Sequence, residues 1–138
     1  MTGFLKRALM GWVVAGVATG VAAESRLPEL TTQAPYKQAY AAMLAYPDWV
    51  KTGQGTAAPV EKVVMDGKTW TVGQMCKPHD CAANQLNVVF SPDGKQAWGL
   101  LSVRAENADT FDQQFLGMPD DAIKQLLNKS FADNNPTD

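Results

Sequence analysis

Two tight-turn signals divide the middle of the chain into short strand-like segments, and they restrict the fold more than any other feature. Asp66-Gly67 lies between residues 60–65 and residues 68–75, and this dipeptide between alternating apolar positions is a strong hairpin signal. Pro92-Asp93-Gly94 separates residues 85–91 from residues 96–104 in the same way. Connections this short join antiparallel strands, because parallel strands need a long crossover. The sequence therefore predicts an antiparallel meander.

The alternation of side chains within the segments assigns residues to the two faces of the predicted sheet. In residues 96–104, Trp98 and Leu100 fall on one face, and Leu101 and Val103 fall on the other. A fifth strand is predicted over residues 110–116. The meander should therefore contain about five strands.

Amphipathic helices are predicted at both ends of this meander. Tyr36, Tyr40, Met43 and Leu44 have helical spacing, and their helix should end before Pro47 because the residue before a proline disfavours helical backbone. A second helix is predicted to begin with Pro119, Asp120 and Asp121, residue types that suit a first helical turn. Its apolar stripe consists of Ala122, Ile123, Leu126, Leu127 and Phe131.

The remaining segments define the fold class and the number of domains. Residues 24–34 contain Pro28 and have no apolar period, so they are interpreted as a mobile arm. The predicted fold is α+β, an antiparallel meander of about five strands flanked by N- and C-terminal helices. One sheet face needs a cover, and the two helices can supply it. Residues 24–138 are expected to form a single domain.

The first residues are typical of a secretory signal peptide. Lys6 and Arg7 precede an apolar run over residues 8–18, and Val21-Ala22-Ala23 offers small residues for cleavage before Glu24. The run is too short to span a bilayer. We therefore expect residues 1–23 to be removed, and the mature chain to be exported without a membrane anchor into an oxidising compartment.

The net charge of the mature chain restricts the class of partner. Lys6 and Arg7 are two of the twelve basic residues, so ten basic residues remain against fourteen acidic ones after cleavage, a net charge of −4. The sequence contains no basic stripe of the kind that nucleic acids or anionic lipids attract. Neither nucleic acid nor membrane is therefore an expected partner, and a basic partner is mildly favoured.

Both cysteines and the only histidine of the chain occur in six residues, Cys76-Lys77-Pro78-His79-Asp80-Cys81. We call this segment the 76–81 loop. Pro78 fixes the backbone for the first corner of a β-turn, so the segment predicts a turn with His79 at its second corner. If the cysteines pair, they close a small loop whose tip is aimed before a partner arrives, which favours affinity.

Several kinds of chemistry remain open to this loop. A disulfide could act as a structural staple, although a loop this short gains only about 2 kcal/mol from the constraint. A redox pair usually has two residues between its cysteines, whereas four separate them here. Cys76, His79, Asp80 and Cys81 are residue types that bind zinc, but the loop is tight for tetrahedral geometry.

Two further interpretations centre on His79. As a general base it would need a nucleophile, for which Ser91 and Ser102 are candidates without a supporting motif. As the tip of a recognition loop it would enter a partner's cleft, and an imidazole can donate from both nitrogens when charged. A cleft that holds two carboxylates would receive such a group well.

The six residues Cys76-Lys77-Pro78-His79-Asp80-Cys81 resemble the signature of the Ivy family, the inhibitors of vertebrate (C-type) lysozyme of the bacterial periplasm. Asp48-Trp49-Val50, the hairpin over residues 63–72 and Gly99-Leu100-Leu101-Ser102 are also similar to the family pattern. The resemblance covers roughly residues 36–104. Ala82 replaces a glycine of the family pattern, and the chain from Ala105 onward is similar only in its order of elements.

The resemblance implies an antiparallel sheet flanked by helices and a function in the periplasm. In the family the loop enters the lysozyme cleft, so Lys77, Pro78, His79 and Asp80 would form the lysozyme-binding loop, closed by a Cys76–Cys81 disulfide. His79 would meet the two catalytic carboxylates, Asp80 would bond the cleft wall or the loop's own amides, and Lys77 would be a rim charge.

The expected protein is therefore an inhibitor of C-type lysozyme, not an enzyme, without cofactor or metal. Two alternatives stay open: a periplasmic protein that controls the cell's own lytic murein enzymes, and a peptidoglycan-active enzyme that uses His79. The resemblance also allows a homodimer.

Overall fold

A computed structural model of the chain describes residues 25–43 and 47–137. The predicted signal peptide, residues 1–23, lies outside the described residues, and so does Leu44 of the first predicted helix. No helix within the described ranges combines the length and the apolar character needed to cross a bilayer.

Within the described part of the chain, five strands form one sheet in the order β1-β2-β3-β4-β5, and every neighbouring pair is antiparallel. The predicted meander and the α+β class are thus confirmed. The strands are β1 (Glu61–Met65), β2 (Lys68–Cys76), β3 (Asn84–Phe90), β4 (Ala97–Val103) and β5 (Asp112–Leu116).

The two turn signals form the connections that the sequence predicts. Asp66 and Gly67 both have positive φ, 53° and 72°, as a two-residue turn that matches strand twist requires. Asp93 stabilises the β3–β4 turn, where its Oδ1 accepts hydrogen bonds from the Ser91 hydroxyl at 2.7 Å and from the Lys95 backbone N–H at 3.0 Å.

Both faces of the sheet are covered, and the helices lie on opposite faces. Leu86, Val88 and Phe90 of β3 pack against the N-terminal helices. Val89 of the same strand and Leu100 of β4 pack against the C-terminal helix. The expectation that both helices cover one face is therefore wrong, because β3 and β4 carry apolar side chains on both of their faces and each face needs its own cover.

The segment interpreted as a mobile arm is instead ordered over its described residues, 25–34, which corrects the prediction. It contains a short helix, α1 (Leu27–Leu30), whose terminal leucines are both buried. The backbone N–H of Val60 donates to the carbonyl oxygen of Ser25 at 2.8 Å, and Arg26 donates from Nη1 to the carbonyl oxygen of Ala57 at 2.7 Å. These bonds hold the segment on the body of the domain.

The described residues form three more helices: α2 (Tyr36–Ala42), α3 (Asp48–Lys51) and α4 (Asp121–Asn134). Pro119 precedes α4, so the prediction that it belongs to the first turn of this helix is wrong. Asp120 caps that helix, since its Oδ1 accepts from the Ile123 backbone N–H at 2.9 Å. Ile123 and Leu127 are the buried residues of α4.

The connections divide between the two ends of the sheet, and this arrangement positions the candidate site. The β1–β2 and β3–β4 turns lie at one end. The β2–β3 connection, which is the 76–81 loop with the few residues after it, lies at the other end together with the β4–β5 connection. The loop thus projects from an end of the domain that the hairpin turns leave free.

Candidate binding loop

The 76–81 loop is closed by a disulfide between Cys76 and Cys81, whose Cα atoms are 4.7 Å apart. Cys76 is the last residue of β2, and it also exchanges backbone hydrogen bonds of 2.9 and 3.0 Å with Thr56. Residues 77–81 are exposed. The loop is therefore anchored in the sheet at its base and is accessible over the rest of its length.

The predicted β-turn is present at the tip of the loop. The backbone N–H of Asp80 donates to the carbonyl oxygen of Lys77 at 3.0 Å, which closes the four-residue turn. Pro78 occupies the first corner and His79 the second, with a φ of 66°. A proline followed by a residue of positive φ is the arrangement of a type II turn.

His79 occupies a backbone conformation that most residues avoid. Left-handed backbone costs an L-residue about 1–2 kcal/mol, and the second corner of such a turn is usually glycine or asparagine. Glycine would therefore suit the turn better than histidine. Strained conformations of this kind cluster at binding and catalytic sites, and the imidazole supplies a polar group that glycine cannot.

Asn84, the first residue of β3, connects the loop to the sheet, and it was not among the predicted site residues. Its carbonyl oxygen accepts from the Lys77 backbone N–H at 3.0 Å. Its side chain donates from Nδ2 to Oδ2 of Asp80 at 2.8 Å. An asparagine directly after a turn is a common hydrogen-bonding residue, and that position was the signal available in the sequence.

The β4–β5 connection forms a second projection beside the loop. The backbone N–H of Arg104 donates to the carbonyl oxygen of Ala83 at 2.8 Å, which ties the two connections together. The Arg104 guanidinium also lies over the Phe111 ring, 5.1 Å from its centroid. An open cleft of about 510 Å³ separates the projections, with Asp80 on one wall and Glu106 on the other.

The disulfide and the positions of the serines can be compared with the metal-binding and hydrolytic interpretations that the sequence left open. Both cysteines are in the disulfide, so neither supplies a thiolate to a metal, and the described residues contain no group of three or more His, Cys, Asp or Glu placed to hold one. Ser102 is fully buried and accepts from Gln113, and Ser91 lies at the opposite end of β3. Neither serine is brought to His79.

The fold and this loop define a small α+β domain that presents a closed, anchored and exposed turn. A family model described as inhibitor of vertebrate lysozyme (Ivy) matches residues 35–133, and the chain belongs to this family. The match extends to residue 133, so the estimate that the resemblance ends near residue 104 was too short.

Curated relatives agree with the family match. The chain is 34% identical over 118 residues to an uncharacterized protein of Yersinia pestis, an alignment that covers 78% of this chain and 77% of that protein. It is 30% identical over 137 residues to the inhibitor of vertebrate lysozyme of Pseudomonas aeruginosa, with 91% and 90% coverage. The protein of that name in Escherichia coli is 34% identical over 74 residues, which cover 54% of this chain and 46% of that protein.

Proposed function

We propose that the protein is an inhibitor of C-type lysozyme and that it acts by inserting the 76–81 loop into the active-site cleft of the enzyme. In this mechanism His79 meets the catalytic carboxylates, Asp80 bonds the cleft wall and Lys77 lies at the rim. Membership of the Ivy family and the name of the Pseudomonas relative support the inhibitor role. The protein itself performs no catalysis in this proposal.

The chemistry of the target cleft suits an imidazole. A C-type lysozyme holds a carboxylic acid and a carboxylate on opposite sides of its cleft, about 5 Å apart in an enzyme that retains configuration. The two imidazole nitrogens point in different directions, and each can donate or accept according to protonation. One ring between the two carboxyl groups can therefore bond to both and block the position of the sugar.

The observation that carries the proposal is the left-handed backbone of His79 at the tip of an exposed, disulfide-closed turn. The backbone of this turn is fixed by Pro78, by the Asp80–Lys77 hydrogen bond and by the disulfide. A loop that is ordered before binding loses less entropy on entering a cleft than a mobile one. The backbone that carries the imidazole is therefore presented in one position at low entropic cost.

We further propose that residues 1–23 direct export and that residues 24–138 act as one domain in the periplasm. An oxidising compartment is where a disulfide such as Cys76–Cys81 persists. One loop per chain is sufficient for this mode of inhibition, so the proposal is the same for a monomer and for a homodimer.

The test is the clearing of a bacterial cell-wall suspension by C-type lysozyme with and without the purified domain. We expect the domain to slow clearing in proportion to its concentration, and to leave cell walls intact when added alone. His79→Ala should weaken inhibition by about 30-fold or more, since it leaves cleft groups unpaired.

Asp66→Ala is the matched control, because it also replaces an exposed residue of positive φ by alanine, at the opposite end of the sheet. It should inhibit like the parent. Clearing by the domain alone would show a peptidoglycan-active enzyme instead. Inhibition of the producing cell's own lytic enzymes without inhibition of lysozyme would show the alternative binding role.

A further inference from the structure

The Asn84 side chain forms the only hydrogen bond recorded between the described residues and the Asp80 carboxylate. We propose that Asn84 is a positioning residue for binding: its side chain fixes the carboxylate of Asp80, the chain neighbour of His79, so that this carboxylate reaches the target already oriented. This inference rests on the proposed function, since it concerns how the same loop engages its target.

Asn84 is itself well anchored in the sheet. It opens β3 and is paired with Val103 of β4, so it belongs to the interior of the five-stranded sheet. The residue before it, Ala83, accepts the backbone hydrogen bond of Arg104 at 2.8 Å. Asn84 therefore has the rigidity of the sheet, which an exposed loop residue lacks.

The backbone of Asn84 bonds to both ends of the turn. Its carbonyl oxygen accepts from Lys77 at 3.0 Å, and its backbone N–H donates to the carbonyl oxygen of Asp80 at 3.2 Å. These two bonds fix the backbone of the turn. The side-chain bond to Asp80 Oδ2 at 2.8 Å adds nothing to that backbone frame and acts on the carboxylate alone.

The side-chain hydrogen bond restricts the Asp80 carboxylate before binding. An exposed aspartate normally samples several side-chain rotamers, and ordering such a side chain on binding costs entropy. A hydrogen bond from an amide to a charged carboxylate is stronger than one between neutral groups. With Oδ2 held by Asn84, Oδ1 is the oxygen offered to a partner. The complementary group on the target is a hydrogen-bond donor, such as a backbone N–H or a side-chain amide.

The test is a double-mutant cycle in lysozyme inhibition with Asn84→Ala, Asp80→Ala and the pair. Alanine at position 84 keeps the backbone bonds, so it removes only the side-chain contact. We expect Asn84→Ala to weaken inhibition about tenfold in the parent. In the Asp80→Ala background the same change should have an effect of less than about twofold, within the usual error of such comparisons. An equal loss in both backgrounds would overturn the proposal.

A second variant removes the donor without changing the shape. Asn84→Asp replaces the amide by a carboxylate that repels Asp80, and we expect it to inhibit more weakly than Asn84→Ala. Asn128→Asp, on the exposed surface of α4, controls for the added negative charge. Inhibition by Asn84→Asp equal to that by Asn128→Asp would also overturn the proposal.

A measurement without lysozyme separates this inference from the proposed function. We expect the NMR coupling constants of the Asp80 side chain to report a single χ1 rotamer in the parent and rotamer averaging in Asn84→Ala, with both melting at the same temperature. A single rotamer in the parent with no lysozyme inhibition would refute the proposed function alone. Averaging of the Asp80 rotamer in the parent would refute the positioning role.

Discussion

The Tyr40 hydroxyl donates a hydrogen bond to the backbone carbonyl oxygen of Val50, and this bond joins α2 to α3 on one face of the sheet. Both residues are buried, and burial raises the pKa of the Tyr40 phenol well above its ordinary value. The bond holds Asp48-Trp49-Val50, a segment that resembles the family pattern, within the core. This part of the resemblance is therefore explained by packing and not by the binding loop.

Tyr40→Phe should destabilise the domain by about 0.5–1.5 kcal/mol, because it removes one hydrogen bond from the buried Val50 carbonyl oxygen, which still accepts from the Gly53 backbone N–H at 3.2 Å. Urea unfolding at neutral pH measures the loss. Tyr36→Phe is the control, since it keeps the edge-to-face contact of that ring with Phe90. Equal stability of Tyr40→Phe and the parent would mean that the bond contributes nothing net.

The raised pKa of Tyr40 also predicts a loss of stability in alkali. Below a pH of about 10 the phenol is neutral in both folded and unfolded chains. Above that pH the unfolded chain ionises while the folded one stays neutral, so the free energy of unfolding falls as pH rises. Tyr40→Phe should flatten this part of the profile. An unchanged slope between pH 9 and pH 11 would contradict the assignment to Tyr40.

His79→Gly should separate stability from function. Glycine adopts a φ of 66° without strain, so the variant should melt at the temperature of the parent or higher. Inhibition should fall at least tenfold because the imidazole is absent. His79→Asn supplies a polar residue that also tolerates this backbone. Its inhibition should lie between that of the parent and that of His79→Gly. Full inhibition by His79→Gly would show that the backbone of the loop, and not the imidazole, carries binding.

Replacing both cysteines, Cys76→Ser with Cys81→Ser, should affect binding more than folding. Closure of so short a loop contributes about 2 kcal/mol in the chain-entropy model, well within the stability margin of an ordinary domain. The circular dichroism spectrum should remain native, while inhibition should weaken at least tenfold through faster dissociation. An unfolded double variant would show that the disulfide is a staple of the fold. Unchanged binding would show that Pro78 and Asn84 order the loop without it.

The β3–β4 turn should be sensitive to acid. The hydrogen bond from the Ser91 hydroxyl, with that from the Lys95 backbone N–H, lowers the pKa of Asp93. A lowered pKa means that the stabilisation is present above the ordinary aspartate pKa of about 4 and is lost as pH falls below it. Asp93→Asn should therefore be less stable than the parent at pH 7, and the difference should shrink by pH 3. A constant difference across this range, measured by thermal unfolding against Asp109→Asn as the control, would contradict this account.

The sheet was predictable because its signals are local. Asp66-Gly67 and Pro92-Asp93-Gly94 fix the turns, and the alternation around them fixes the strands within about one residue at most boundaries. The 76–81 loop was equally local, since a proline and two cysteines within six residues determine its shape. The sequence therefore predicted the turn and the position of His79 within it.

The position of α1 was not predictable from local signals, because it depends on contacts distant in the sequence. Leu27 packs over Gly73 of β2, where an added Cβ would come within 3.2 Å of the Leu27 Cβ. An isolated glycine within a strand can mark such a close approach, and this was the available signal. The role of Asn84 was missed for a related reason, since its partner Asp80 is identified only once the loop is closed.

The division of connections between the ends of the sheet has a practical consequence. The Asp66-Gly67 turn lies at the end remote from the 76–81 loop, it is exposed, and the space around Gly67 is open, with no atom within 4 Å of a Cβ built there. A fluorophore or an immobilising tag attached at this turn would stand at the opposite end of the sheet from the 76–81 loop. The molecule can therefore be fixed to a sensor surface in one orientation, with every copy presenting its 76–81 loop to solution.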